Sequence, residues 1–170
     1  MADPGLTGIL LVGGASTRFG SPKALAELAG ETLAGRAWRL LGETCDERVA
    51  VGRLDGLPFP SLADPGTGPV AAVAEGLRSA AHEIAVVVPV DMPLLTPEAL
   101  VELARACRDA AVAQAGPLPC AVSRRMQPAF ETGERRLRTV LDAFDTARIQ
   151  LDERLLANVN TQSDLDRLAR

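Results

Sequence analysis

Tyrosine is missing from the 170 residues and aromatic side chains make up only 3%. The base-stacking platforms of single-strand binders cannot be assembled from so few rings. A net charge of -4, with 18 basic residues scattered among 22 acidic ones, speaks against a phosphate-backbone partner as well. Apolar runs such as residues 8–12 and 84–90 stop far short of the ~20 residues of a membrane span. The opening residues lack the basic segment of a secretory leader. The sequence therefore predicts a cytoplasmic protein that acts on small molecules, with no nucleic acid and no membrane as partner. Its three cysteines, Cys45, Cys107 and Cys120, are an odd number without a C-x-x-C pair, which reads as free thiols in a reducing compartment and no zinc.

Two further scarcities point to particular positions. Lys23 is the only lysine against 17 arginines, and Asn158 and Asn160 are the only asparagines. An ammonium is a compact point charge that a planar guanidinium does not replace freely against a phosphate. His82 is the single histidine; it falls in the turn before an apolar strand and reads as a surface residue.

What is present is an ordinary globular composition, 47% hydrophobic and 24% charged, over a length that suits one domain spanning residues 1–170. Residues 7–12, T-G-I-L-L-V, form a buried parallel-type strand that breaks on Gly13 and Gly14. Leu33, Ala37, Leu40 and Leu41 recur at helical spacing within residues 31–43. Strands are expected at 48–51 and at 84–88, the second wholly apolar and hence central. Between them a turn-rich segment, residues 64–69, leads into a helix over 70–81. Thr96, Pro97 and Glu98 open another helix with a cap, a proline at the first position and an acid against the dipole. A strand pair at 111–115 and 119–123, a short strand at 128–130, a helix over 134–144 and a last helix from Ser163 complete the reading. This alternation predicts a Rossmann-like, three-layer α/β/α fold with a mostly parallel sheet.

Ligands of such sheets bind outside the carboxyl ends of the strands. Three segments fall there. The first, residues 11–23, brings together Gly13, Gly14, the hydroxyls of Ser16 and Thr17, and the cations Arg18 and Lys23. Glycines let backbone amides approach an anion and the cations neutralise phosphate oxygens, so the loop reads as a phosphate cradle. It is neither the ATPase P-loop nor the G-x-G-x-x-G fingerprint; a tight strand-to-helix turn is the alternative reading. Asp91 follows the apolar strand, with no basic residue within six positions. A carboxylate at a buried strand tip suits a magnesium ion that is otherwise held by water and substrate phosphates, or else caps a turn. Asp64 sits in an Asp-Pro-Gly turn and reads as either a functional carboxylate or an ordinary turn residue.

Residues 11–23 resemble the L-x-G-G-x-S-x-R-x-G-x-x-K signature of the MobA-like nucleotidyltransferases. The similarity extends along the chain, through D-P-G-T-G-P-V at 64–70, P-V-D-M-P at 89–93, Gln127 and Pro128, the E-R-R-L at 134–137 and N-V-N-T at 158–161. It implies a sheet of the nucleotide-diphospho-sugar transferase type. It also implies transfer of GMP from GTP to the phosphate of molybdopterin cofactor, with magnesium, giving molybdopterin guanine dinucleotide and pyrophosphate. The resemblance assigns Leu11, Val12, Gly13, Gly14, Lys23, Asp64 and Asp91 to the nucleotide, Asp91 to magnesium, and Arg18, Lys23 and Asp91 to catalysis. Asn158 and Asn160 become contacts to pterin or phosphate, where a turn stabilised by their own side chains is the alternative. The attacking phosphate monoester, with a second pKa near 6, needs no general base. Transient contact with other molybdenum cofactor proteins would suit such a role.

The chain departs from the pattern in places. Gly52 stands where guanylyltransferases of the family carry an asparagine against the guanine, Pro22 replaces an acid before the lysine, and Gln162 and Ser163 replace a proline and an acid. Base choice is thereby open. The alternatives are a nucleotidyltransferase of the same fold using another nucleotide or a sugar phosphate, and a non-catalytic nucleotide-binding module.

Overall fold

The computed structural model describes residues 5–13, 21–64 and 66–170. Its centre is a six-stranded sheet. Strand β1 (Leu6–Leu11) is followed by a small antiparallel hairpin, β2 (Glu27–Leu28) and β3 (Glu31–Thr32), then by helix α1 (Leu33–Thr44) and β4 (Glu47–Val51). Helix α2 (Pro69–Ser79), β5 (Ile84–Pro89), α3 (Pro97–Ala106), β6 (Ala110–Ala113), β7 (Cys120–Ser123), α4 (Leu137–Asp142), β8 (Thr146–Ile149) and α5 (Gln162–Leu168) complete the order. The strands lie as β4-β1-β5-β7-β6-β8. Only β7 runs against its neighbours.

The alternation of side chains along the strands builds both faces. Ile9 and Leu11 of β1 and Val87 of β5 pack with Val73 and Leu77 of α2 and with Leu137 and Leu141 of α4. Leu10 of β1 and Val86 and Val88 of β5 point the other way, against Leu41 of α1 and Leu100 and Leu103 of α3. With both faces covered, the inner strands read as continuous apolar runs. This is the expected α/β layering, with β5 an inner strand. A satellite core of Leu28, Leu33, Val159 and Leu165 ties the hairpin to the segment before α5.

Four local readings change. Residues 128–130 are not a strand but part of a 3₁₀ stretch, Arg124–Glu131, in which Phe130 is buried beside Phe144. Proline cannot donate to a sheet ladder, and Pro128 at this place turns the chain instead. The helix expected from residue 134 starts at Leu137, because Glu134 turns its carboxylate onto the amides of Arg135 and Arg136 at 2.7 and 2.8 Å. The sheet also has an outer strand, β8, whose short and mixed T-A-R-I sequence carries no alternation signal. Thr32, which accepts from Gly35 N at 3.0 Å, likewise moves the start of α1 to Leu33.

Candidate functional site

The site lies along the carboxyl ends of β4, β1 and β5. Pairing of β1 runs one residue past the strand, where Val12 N donates to Val51 O at 3.0 Å. Beside β4 the chain returns: Gly52 N donates to Leu62 O at 2.9 Å and Leu62 N to Ala50 O at 2.8 Å. That single bridge delivers Asp64, two residues on, to the end of β1. Its Oδ1 accepts from Gly66 N at 2.8 Å. Its Oδ2 occupies the place that a Cβ on Gly13 would need, only 2.6 Å away. A side chain at 13 would therefore displace the Asp64 carboxylate.

Leu11, Gly13, Val51 and Asp64, with Gly66, Gly68, Pro69 and Ala72 at the start of α2, line a cleft of about 360 Å³. Among the described residues, Asp64 supplies the one polar side chain of that lining. Gly52 stands behind it at φ +135°, and a Cβ there would come within 2.5 Å of Gly13 N and 2.7 Å of Val12 Cγ2. The asparagine expected of a guanylyltransferase has no room on this backbone.

Lys23 and Asp91 meet on the β5 side of the cleft. Lys23 opens a 3₁₀ turn, Lys23–Leu25, and its ammonium lies 3.4 Å from Asp91 Oδ2 and 3.2 Å from Asn160 Oδ1. Asp91 lies two residues past β5, and its own carbonyl accepts from Val159 N at 2.8 Å. Val159 is fully buried in the satellite core. Core packing therefore places residue 160 over the strand tip. Asp164 fixes the same segment from the other side: Oδ2 accepts from Asn160 N at 3.0 Å and from Thr161 N at 2.9 Å. These amides, that of Asn160 first, hold the Asp164 carboxyl below the usual carboxylate range.

The sequence-derived residues thus divide. Lys23, Asp91 and Asn160 come together, and Leu11, Gly13 and Asp64 line the neighbouring cleft, with Val12 bonded to β4 behind it. Asn158 is exposed and turns its amide to Leu156 O at 3.5 Å, a local bond outside this group. Gly14 and Arg18 lie outside the described residues. His82 precedes β5, at the far end from Asp91; six residues of strand at ~3.3 Å each separate the two ends. Asp164 was not singled out in the sequence, although Thr161 three residues before it is the capping-box signature of a helix start.

Among the described residues no three carboxylate, histidine or cysteine side chains gather as a metal cluster. The single strand-tip carboxylate suits a hard ion completed by water and phosphate oxygens. The 3.4 Å contact to Lys23 is longer than the 2.7–2.9 Å of a tight charge-assisted bond. Asp91 accordingly keeps acceptor capacity for a cation.

A family model described as MobA-like NTP transferase domain matches residues 8–157, a span that includes Lys23, Asp64 and Asp91. The probable molybdenum cofactor guanylyltransferase of Mycobacterium tuberculosis is 38% identical over 187 aligned positions, covering 94% of this chain and 91% of that protein. The protein of the same name from Mycobacterium marinum is 35% identical with the same coverage. Among solved structures, the molybdopterin-guanine dinucleotide biosynthesis protein A of Archaeoglobus fulgidus matches with a TM-score of 0.80 over 96% of both chains, at 22% identity. The 2-C-methyl-D-erythritol 4-phosphate cytidylyltransferase of Thermus thermophilus matches at 0.74 and 15% identity, over 95% of this chain and 96% of that one. Those two likenesses carry the fold. With the family model spanning both walls of the cleft, and relatives more than one-third identical along almost the whole chain, this protein belongs to the MobA-like NTP transferase domain family and is a nucleotidyltransferase.

Proposed function

We propose that the protein transfers GMP from GTP to the phosphate of molybdopterin cofactor, releasing pyrophosphate. The observation that carries this reading is the meeting of Lys23 and Asp91 at 3.4 Å beside a cleft whose one polar side chain among the described residues is Asp64. The relatives' names agree with it.

The cleft favours guanine on chemical grounds. An ionised carboxylate only accepts hydrogen bonds, with about four lone-pair directions over its two oxygens. Guanine alone among the four bases offers two adjacent donors, N1–H and the N2 amino group, to such a group. Cytosine and adenine set a ring nitrogen acceptor beside their amino group, and uracil has a single donor. Asp64 spends one direction on Gly66 N and keeps others. It takes over the part of the asparagine that Gly52 excludes.

Polyphosphate would then run toward Lys23, whose ammonium binds the α-phosphate region and offsets charge as pyrophosphate departs. Asp91 would hold magnesium. Held there, the ion would supply neutralisation of phosphate charge. An oxygen of the acceptor's phosphate attacks the α-phosphorus in line; that P–O bond forms as the bond to pyrophosphate breaks. The attacking group is ionised near neutral pH, in keeping with a site built from a lysine, two aspartates and an asparagine. Catalysis then rests on positioning and charge.

Thermal unfolding with magnesium and each of GTP, CTP, ATP and UTP tests the base, with GTP expected to stabilise most. Pyrophosphate release from GTP in the presence of molybdopterin tests the reaction. Equal stabilisation by CTP would overturn the guanylyl assignment; absence of release with all four nucleotides would leave a binding module.

A further inference from the structure

We infer that Asp164 is a positioning residue for the phosphate-binding lysine, holding the main chain at Asn160 so that the Asn160 carboxamide meets Lys23 beside Asp91. This rests on the role proposed above for Lys23 and Asp91. Asp164 is the third residue of α5 and, with Thr161, forms a reciprocal capping box. Such a cap needs only the bond from the Asp164 carboxylate to Thr161 N. The carboxylate makes a second bond, to Asn160 N at 3.0 Å. That amide lies outside the helix, so the bond does nothing for the helix itself.

Its consequence is on Asn160. The preceding residue, Val159, is buried and donates to the carbonyl of Asp91 at 2.8 Å. With Asp164 on the following side, residue 160 is fixed between two anchored amides, and its side-chain oxygen comes to rest 3.2 Å from Lys23 Nζ. A neutral acceptor orients an ammonium without cancelling its charge. Asp91 Oδ2, at 3.4 Å, is the charged competitor. Asn160 therefore turns Lys23 while leaving its charge for phosphate, and Asp164 keeps Asn160 in place. Asp164 Oδ1 accepts from Arg167 at 3.3 Å, a contact on the outer side of α5 that does not reach the lysine.

Because Lys23 is the only lysine, protein isotope-labelled on lysine gives one side-chain amine signal, and that signal reports this site without assignment. Asp164→Ala is expected to shift it as Asn160→Ala does. Thr161→Ala removes the capping hydroxyl but leaves both amides on the carboxylate, and is expected to leave the signal in place. In turnover, Asp164→Ala is expected to lower kcat about tenfold with little change in the KM for nucleotide. In an Asn160→Ala background the same change should cost nothing more. Asp164→Asn, which keeps an acceptor oxygen for the two amides, should restore most of the rate and leave the lysine signal in place, whereas Asp164→Ser, too short to reach Asn160 N, should shift the signal and serves in place of the alanine variant if that fails to fold, with Thr161→Ala as its comparison. An unmoved lysine signal, or a loss of rate matched by Thr161→Ala at equal loss of melting temperature, would reduce Asp164 to a helix cap. The resonance comparison holds whether or not GTP is the donor. A failure of the guanylyl reading therefore shows in the nucleotide assays and a failure of this one in the lysine signal.

Discussion

Lys23 Nζ stands 3.4 Å from Asp91 Oδ2, across 68 residues of chain. Neither residue is fully buried, with 17% and 24% of the side chains exposed, and an ion pair in such a setting contributes at most about 1 kcal/mol. Stability is therefore a poor reason for the contact. What the pairing achieves is to bring a cation and an anion together past the carboxyl end of β5, which matches the two charges that the proposed triphosphate and its metal would present.

Lys23→Ala should accordingly change the melting temperature little, while lowering kcat by about 10²–10³-fold, the usual cost of one transition-state donor. Lys23→Arg should not restore the rate, since the broad guanidinium fork cannot take the place of a point charge beside Asn160. Steady-state turnover and thermal unfolding on the same samples check both. A variant with native turnover would remove Lys23 from the chemistry.

Asp91→Asn keeps the size of the side chain and removes its charge. GTP alone, in the presence of a chelator, should stabilise this variant as it does the parent. The additional stabilisation by magnesium should disappear, and pyrophosphate release with it. If magnesium still sharpened the effect of GTP in the variant, another group would have to hold the ion.

Much of this arrangement was legible in the sequence, for identifiable reasons. Inner strands such as β1 and β5 bury both faces and advertise themselves as apolar runs; the segments that follow them carry Lys23, the only lysine, and Asp91, and Asn160 is one of only two asparagines. The edge strand β8 was not legible, because a strand that packs on few neighbours needs no pattern. Nor was the start of α4, since Glu134 satisfies amides ahead of the helix where a sequence reading counts it inside. Gly52 was visible as a departure, but its cause was not: the crowding comes from Gly13 and Val12, forty residues earlier in the chain and adjacent only in the fold. Asn158 and Asn160 looked equivalent; the burial of Val159 between them, with the Asp164 carboxylate on Asn160 N, sets them toward different partners.

The thiols give a pH dependence. Burial is the main reason that Cys45 is pushed up to about 12 and Cys107 to about 11; Cys120, wholly buried, is raised further. In the unfolded chain a thiol ionises near 8.5. Below that pH both states are protonated and these groups contribute no slope. Above it the unfolded state binds fewer protons than the folded one, so stability should fall as pH rises from about 8.5 towards 11 and 12. Denaturant midpoints between pH 7 and 10 check the direction. Alkylation at pH 8 should be slow for all three cysteines in the native protein and fast after unfolding. A midpoint that rose with pH over this range would contradict the buried placement.

Gly52→Asn puts back the residue that guanylyltransferases of the family carry at this place, and it should harm the protein. At φ +135° the backbone lies outside the region that asparagine tolerates, and a Cβ would sit 2.5 Å from Gly13 N. Strain and overpacking together cost about 2–4 kcal/mol, or roughly 5–15 °C in melting temperature for a domain of this size. Gly52→Ala should lose nearly as much, because the offending atom is the Cβ and not the amide. Relief would require Gly13 to move, and with it the Asp64 carboxylate that now covers its Cα, so the variant should also lose its preference for GTP in the stabilisation assay. An asparagine variant that melted like the parent and bound GTP more tightly would mean that the β1 loop yields, and that Asp64 does not stand in for the missing amide.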